Sequence, residues 1–250
     1  MNKLFSICIP TYNRANFLSE CLDHIIPQAL EYEVPIYICD NASDDNTQLI
    51  VSNKQSVYPH IFYKKQTSNV GIDHNMLDVA FMSDSRYCWW LGDDDIILDN
   101  SIHKILEILK SCNPDLILLN ALFISEDLKT KYEKPFIQLK KDIIYSDNIL
   151  FFHDHASNMP FGNLVIDRQQ LCSIDYNRFI GTSHAYSGAL LDYLELKKNT
   201  EHNVCIFVNA EPLVYLRQCI KTWSNYSFNV YYQHIPNWYL LLLPAYQIES

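Results

Sequence analysis

Two rhythms of apolar and polar residues alternate along the first half of the chain. Residues 4–10 (LFSICIP) form a short β-rich run. In residues 14–26, Phe17, Leu18, Cys21, Leu22, Ile25 and Ile26 fall on one face of a helix. The pattern then predicts a strand at 34–40 and a helix at 43–55, with Ser43 as its N-cap and acids in its first turn. A strand at 60–65 and a helix at 72–83 follow. Residues 86–95 (RYCWWLGDDD) read as a strand running into acids, 100–112 as a helix and 115–123 as one further strand.

This β-α-β order predicts an α/β fold, with a mostly parallel central sheet flanked by helices. Ligands of such sheets bind at the carboxyl ends of strands, near a switch in strand order. Three polar clusters fall there: PTYN after the first strand, DNASDD after the second and GDDD after the fourth. Their convergence on one edge is stronger evidence than any one of them.

Beyond Glu126 the rhythm is less regular. Residues 129–136 read as a loop or hairpin, 161–167 as a strand, 181–196 as a helix, and 201–217 as two strands broken at a proline. The division expected is a ligand-binding half, 1–125, and a smaller irregular half, 126–250, of one domain. Residues 234–247 (HIPNWYLLLLPAYQ) predict a terminal strand or helix packed on the core; the alternative is an interfacial segment touching a membrane.

Composition narrows the classes. The 250 residues are 48% hydrophobic and 19% charged, enough to build a substantial core. Only 5 glycines are present, which argues against a glycine-rich phosphate loop. A net charge of -10 repels a nucleic-acid backbone. The 8 cysteines include no C-x-x-C pair and read as buried thiols of a reducing, cytosolic setting. No apolar run is long enough for a membrane span.

Three consecutive carboxylates, Asp93, Asp94 and Asp95, have no cation nearby in sequence. Hard divalent cations prefer carboxylate oxygens, and Mg²⁺ or Mn²⁺ bridges protein acids to diphosphates. On a continuing strand Asp93 and Asp95 would point the same way as a D-x-D pair. Such a metal lets an acidic protein hold an anionic ligand. The structural alternative is a solvated acidic loop. Asp40, ending a buried strand, can accept hydrogen bonds from a base or a ribose. Asp44 and Asp45 are explained by the helix they open. Pro10 frees the backbone at Thr11, Tyr12 can stack, and Arg14 can pair with a phosphate or simply begin a helix. His153–Asp154–His155 lacks further zinc ligands and reads as a polar loop near an acceptor.

The stretches SICIPTYNRANFLSECLDHI, ICDNASDDNT, NVGIDHNM and WWLGDDDI, in this order and spacing, resemble the amino-terminal half of family-2 glycosyltransferases of the GT-A, Rossmann-like fold. That resemblance implies a nucleotide-sugar donor, Mn²⁺ or Mg²⁺, and inversion at the anomeric carbon. Carried over by motif, Thr11 and Asp40 hold base and ribose, and Asn69, Gly71 and Asn75 shape the donor pocket. Asp93 and Asp95 are the metal pair. His74 stands where the family often has Arg.

The second half matches less well. An inverting transfer needs a base for the acceptor hydroxyl. Relatives supply an acid at the start of an acceptor-side helix; here the stretch is GTSHAY, Gly181 to Tyr186. His184 is the base expected from position, with Asp94 as the other catalytic candidate and Asp154 and Asp192 behind them. The stretch also resembles the branch containing abequosyltransferases. A surface-glycan acceptor such as lipopolysaccharide or capsule, lipid-linked at the inner face of the cytoplasmic membrane, would fit a cytoplasmic, peripheral enzyme. The competing classes are a catalytically inactive sugar-nucleotide or glycan-binding relative, and a phosphotransfer domain. The latter needs a nucleophilic Asp after the first strand, where PTYN stands.

Overall fold

The structure is a computed structural model and describes residues 2–159, 161–171, 174–201, 203–219 and 229–246. Eight strands form the main sheet in the order β3-β2-β1-β4-β9-β6-β10-β8. They are β1 (Phe5–Thr11), β2 (Ile36–Asp40), β3 (Ile61–Lys65), β4 (Tyr87–Trp90), β6 (Leu116–Leu118), β8 (Ile143–Tyr145), β9 (Leu164–Asp167) and β10 (Ile206–Val208). β9 runs antiparallel to β4 and β6, and β8 antiparallel to β10; the other pairings are parallel. A second sheet of three strands joins β5 (Ile96–Ile97), β11 (Val214–Gln218) and β7 (Ala121–Ser125). Strands from both halves of the chain therefore share each sheet.

Side chains alternate along β1 and feed two cores, one on each face. Phe5, Ile7 and Ile9 pack with Leu18 and Leu22 of α1 (Ala15–Tyr32) and Ile105 of α4 (Ser101–Cys112). Cys8 packs on the other face, with Met76 and Leu77 of α3 (Ile72–Met82) and Leu190 and Leu191 of α7 (Ala185–Glu201). β4 repeats the alternation: Tyr87 and Trp89 face the first core, Cys88 and Trp90 the second. Fully burying a large apolar side chain stabilises by roughly 1.5–3 kcal/mol. Both indoles also keep a hydrogen bond, Trp89 to Gly162 O and Trp90 to Met76 O, each at 2.9 Å. Burial on both faces explains why β1 and β4 read as continuous apolar runs.

Several elements differ from the sequence reading. The fourth strand stops at Trp90, and Gly92–Asp95 is a turn closed by Asp95 N–H on Gly92 O at 3.2 Å. Strand alternation therefore does not set the directions of Asp93 and Asp95. Ser43 caps no helix: α2 (Thr47–Val57) begins later, Ser43 N–H donates to Asp40 Oδ1, and its Oγ accepts from Asn13 N–H. Residues 115–123 are two strands. Fully buried Asn120 makes the break, donating to Asn209, Ile137 and Ala210 and accepting from the N–H groups of Ala121 and Ile137. Those bonds replace ladder bonds, so the chain changes sheets there. His153–His155 is the end of a helix, α5 (Asn148–His155), and His155 is buried against Tyr145. The hairpin read at 129–136 is present as an Ile124–Lys131 bridge.

The C-terminal stretch is a π-helical turn, Val230–His234, continuing into a helix. Numbering the short helix Arg168–Leu171 as α6, this last helix is α8 (Ile235–Tyr246). Trp238, Leu242 and Tyr246 bury one side of it in the second core, and the Tyr246 hydroxyl donates to Leu191 O at 2.5 Å or just under. Gln247, the last residue of that tail, and Cys172 lie outside the described residues. The seven other cysteines are free thiols. Among the described residues no helix is long and apolar enough to cross a membrane.

Asp115 ties β6, β10 and α7 together. It accepts from Lys197 Nζ (2.6 Å), Gln170 Nε2 (2.9 Å) and Cys205 N–H (2.8 Å). Burial works against the Lys197 charge, but Asp115 more than offsets it and raises its pKa. Asp115→Ala leaves three donors facing a void. Urea unfolding of this variant should show a loss of about 2–4 kcal/mol, with no change in ligand binding at the opposite strand ends.

Candidate active site

β1 sends the chain toward β2 and β3 on one side; β4 returns on the other side of β1. This is the switch point. The loops leaving β1 and β4 open there, and a cavity of about 740 Å³ lies over them. Pro10, Thr11, Tyr12, Arg14, Asn69, Gly71, Asn75 and all three of Asp93–Asp95 line it.

The three carboxylates are only 7%, 4% and 3% exposed, respectively. Such charges require compensation. It comes from afar in sequence, since no cation lies close to them along the chain. Arg14, at the start of α1, sets Nε 3.1 Å from Asp93 Oδ1 and Nη2 2.5 Å from Asp94 Oδ2. Burial disfavours the Arg14 charge, yet Asp93 and Asp94 more than offset this and raise its pKa. The Thr11 hydroxyl donates to Asp93 Oδ2 at 2.7 Å. Cys219 Sγ sits 2.8 Å from Asp94 Oδ2.

Asp95 faces elsewhere. Its Oδ1 accepts the backbone N–H of Arg217, in β11, at 3.1 Å. Its Oδ2 lies over Gly92 and Gly162. A Cβ at Gly92 would stand 2.5 Å from that oxygen, and one at Gly162 would collide with it outright. Gly162 also has φ +106, a conformation that L side chains avoid. Arg217 itself is buried, paired to Glu20 at 2.5 Å and donating to Glu126 O. The guanidiniums of Arg14 and Arg217 both sit over the Phe17 ring, 4.5 and 4.7 Å from its centroid.

Asp40 lies behind the lining. It is 0% exposed, with Oδ1 on Ser43 N–H and Oδ2 accepting from the Tyr63 hydroxyl at 2.5 Å. Its oxygens therefore hold the β2 loop; Asn41, the next residue, is the one that faces the cavity. Asn41 and Asn69 brace one another: Asn41 Nδ2 donates to Asn69 Oδ1 at 3.0 Å and Asn41 Oδ1 accepts Val70 N–H at 2.8 Å. Asn75 is 2% exposed; its Nδ2 donates to Cys39 O at 2.9 Å, while its Oδ1 has no partner among the described residues.

The far wall comes from Phe123 and from the second half of the chain: Phe161, Ser183, Leu216, Val230 and His234. Asp73, in the first turn of α3, holds this wall. Its Oδ2 accepts the N–H of Gly181 (2.8 Å) and Ser183 (3.1 Å), and its Oδ1 that of Ala185 (3.0 Å). A carboxylate from the first half thus satisfies orphan donors before and at the start of α7. His184 is outside the lining. Its Nδ1 bonds Thr182 O at 3.0 Å and its ring lies near Tyr186 and Trp238, and burial lowers its pKa. Asp154 accepts from Tyr145, and Asp192 is paired with Arg178.

Sequence reasoning missed Arg217, Gly162, Asp73, Ser183 and His234. Arg217 is a lone cation in an apolar strand and Gly162 one of few glycines, so each left a faint signal. His234 left none, because the tail reads as packing.

The fold and this edge define an α/β class with its ligand edge at the carboxyl ends of the strands, and comparison with known proteins places the chain in a family. The family model for glycosyl transferase family 2 matches residues 6–169, and the chain belongs to that family. It is 27% identical over 200 residues to the abequosyltransferase RfbV of Salmonella typhimurium, covering 73% of this chain and 59% of that one. A processive diacylglycerol beta-glycosyltransferase of Mycoplasma pneumoniae is 27% identical over 161 residues, covering 63% of this chain and 46% of that one. The chain thus spans roughly half of the length of these curated relatives. Among solved structures, S. aureus TarS in complex with UDP-GlcNAc superposes with TM-score 0.72 at 13% identity, covering 98% of this chain and 68% of that one. Mannosyltransferase PcManGT from Pyrobaculum calidifontis, in complex with GDP-Man and Mn²⁺, gives 0.62 at 13% identity, covering 100% and 66%. The fold is GT-A.

Gly162→Ala tests the Asp95 seat. The added methyl should displace the carboxylate and cost about 1–3 kcal/mol through strain and overlap. A thermal melt should fall by several degrees, whereas the same change at exposed Gly71, with open space around its Cβ position, should cost only the backbone term.

Proposed function

We propose that the chain is an inverting, metal-dependent glycosyltransferase. It would move a hexose or deoxyhexose from a nucleotide sugar to a hydroxyl of a surface glycan such as lipopolysaccharide or capsule. The observation that carries this reading is the trio of buried carboxylates at the switch point, opening into a cavity of about 740 Å³. That size suits a nucleotide sugar.

Donor recognition would fall to Thr11, Tyr12, Asn69, Gly71 and Asn75. The unpartnered Asn75 Oδ1 offers an acceptor for a ligand N–H or hydroxyl. Asp40 would act behind them, through Ser43 and Tyr63. Arg14, in the same lining, would pair with a bound diphosphate. The apolar wall of Phe123, Phe161 and Leu216 suits the C–H face of a sugar ring, and suits a deoxyhexose better still.

The donor set fits Mn²⁺ or Mg²⁺. All three side chains are hard oxygen donors, and Asp95 is seated between two glycines that leave room for it. Among the described residues no group of three potential ligands is already assembled. That fits ions held by one or two carboxylates and completed by phosphate oxygens and water. Asp95 and Asp93 would hold it. When bound, such an ion supplies charge neutralisation for the leaving diphosphate. The protein's own part is to seat the diphosphate, fix the sugar against the far wall and exclude bulk water.

The missing acid at 181–186 favours a second reading, a relative that binds nucleotide sugars without turnover. A third feature, the partly exposed α8, supports peripheral membrane contact near a lipid-linked acceptor: Leu240 is turned outward.

Thermal melts with UDP-, GDP-, CDP- and dTDP-sugars, with Mn²⁺ and with chelator, test the proposal. One donor at a hundredfold over its Kd should raise the Tm by about 5–10 °C, and chelator should remove the rise. Asp95→Asn should behave like the parent in chelator. A rise that persists in chelator and in Asp95→Asn would sink the metal reading.

A further inference from the structure

We propose that His234 is the base that deprotonates the acceptor hydroxyl, oriented by Ser183. This inference rests on the transferase reading above and names a residue that the family's motifs do not supply.

Three independent features meet at this pair. First, Ser183 and His234 both line the cavity that Asp93–Asp95 also line, and Ser183 Oγ stands 2.8 Å from His234 Nδ1. Second, Ser183 has φ +60, an unfavourable conformation for a residue with a side chain. Local strain of this kind persists where surroundings over-determine it. Here Asp73 does so, holding the N–H groups of Gly181, Ser183 and Ala185 in one turn. Third, His234 closes a π-helical turn, Val230–His234, directly before α8. Such turns are rare and cluster at functional sites.

The tautomer follows from the chemistry required. If Nδ1–H donates to Ser183 Oγ, Nε2 keeps its lone pair. Among the described residues Nε2 has no hydrogen-bond partner. In the transfer, the acceptor O–H proton passes to Nε2 as the oxygen attacks the anomeric carbon. The bond from that carbon to the donor's diphosphate oxygen breaks, and its electron pair leaves with the nucleoside diphosphate. The resulting imidazolium is held by Ser183 Oγ, which accepts from Nδ1–H in both states. The other candidates are spent elsewhere. Asp94 is held by Arg14 and Cys219, Asp192 by Arg178, and Asp154 by the Tyr145 hydroxyl. His184 bonds Thr182 O and faces the α8 packing.

The test uses the full chain with Mn²⁺ and the nucleotide sugar that raises the parent's Tm. Water and a panel of alkyl glycosides serve as acceptors, and released nucleoside diphosphate is read. His234→Ala should keep donor affinity within about twofold by calorimetry while release falls about 100-fold or more. Added imidazole should restore part of the loss. His234→Gln keeps volume and a partner for Ser183, so it should fold and bind donor yet release as slowly as the alanine variant. Release within fivefold of the parent in either variant overturns the assignment. So does a loss that imidazole leaves untouched in a variant that still binds donor, since that marks a positioning role. A parent that binds donor but releases nothing with any acceptor removes the transferase reading as well, which separates the two failures.

Discussion

Three buried carboxylates in one turn cannot coexist without compensation, and the rest of the site is arranged around that constraint. Arg14 crosses from the loop after β1 to reach Asp93 and Asp94. Arg217 N–H reaches Asp95 from the second sheet. Two glycines clear the space that the Asp95 carboxylate occupies. These groups come from four separate stretches of chain, so the acidic turn is held by the tertiary fold and not by its own sequence. The same arrangement concentrates negative charge at one edge of a protein of net charge -10.

Asp73 plays the matching part on the opposite wall. It sits in helix α3 of the first half, yet its hydrogen bonds go to the turn that opens α7. A relative with its own acid at that helix start would place two carboxylates close together. In this chain the start of α7 carries Ser183 and His184 instead, and Asp73 is the only acid needed to satisfy those N–H groups. The first half of the chain thus fixes the geometry of the second, and the two cannot be treated as independent modules.

The parallel core was legible because burial on both faces writes continuous apolar runs, as in YCWW and SICIP, and because polar clusters at strand ends mark the ligand edge. Boundaries inside the site were not. WWLGDDDI reads as one strand because Leu91 is apolar, yet the Gly92 turn intervenes. Asp40 reads as a ligand contact because it ends a strand, yet Tyr63, from the neighbouring strand, takes its free oxygen. Residues 115–123 read as one strand because Asn120 looks like a single polar interruption, although its hydrogen bonds redirect the chain. Each miss involves a partner distant in sequence, and no local periodicity encodes that.

His234 is the extreme case. Nothing near it in sequence has catalytic character, and the residues after it, Trp238, Leu242 and Tyr246, are packing residues buried against α5 and α7. That packing is what brings the imidazole to the cavity. Helix α8 packs on the second core, and His234 ends the π-helical turn directly before it and lines the cavity. A histidine supplied from the end of the chain is also chemically suited to this site. A carboxylate there would add a fourth negative charge to the cavity that Asp93–Asp95 already line, whereas a neutral imidazole accepts a proton without adding one. The charge that the acidic turn imposes on the cavity therefore favours this kind of base over the acid that relatives use.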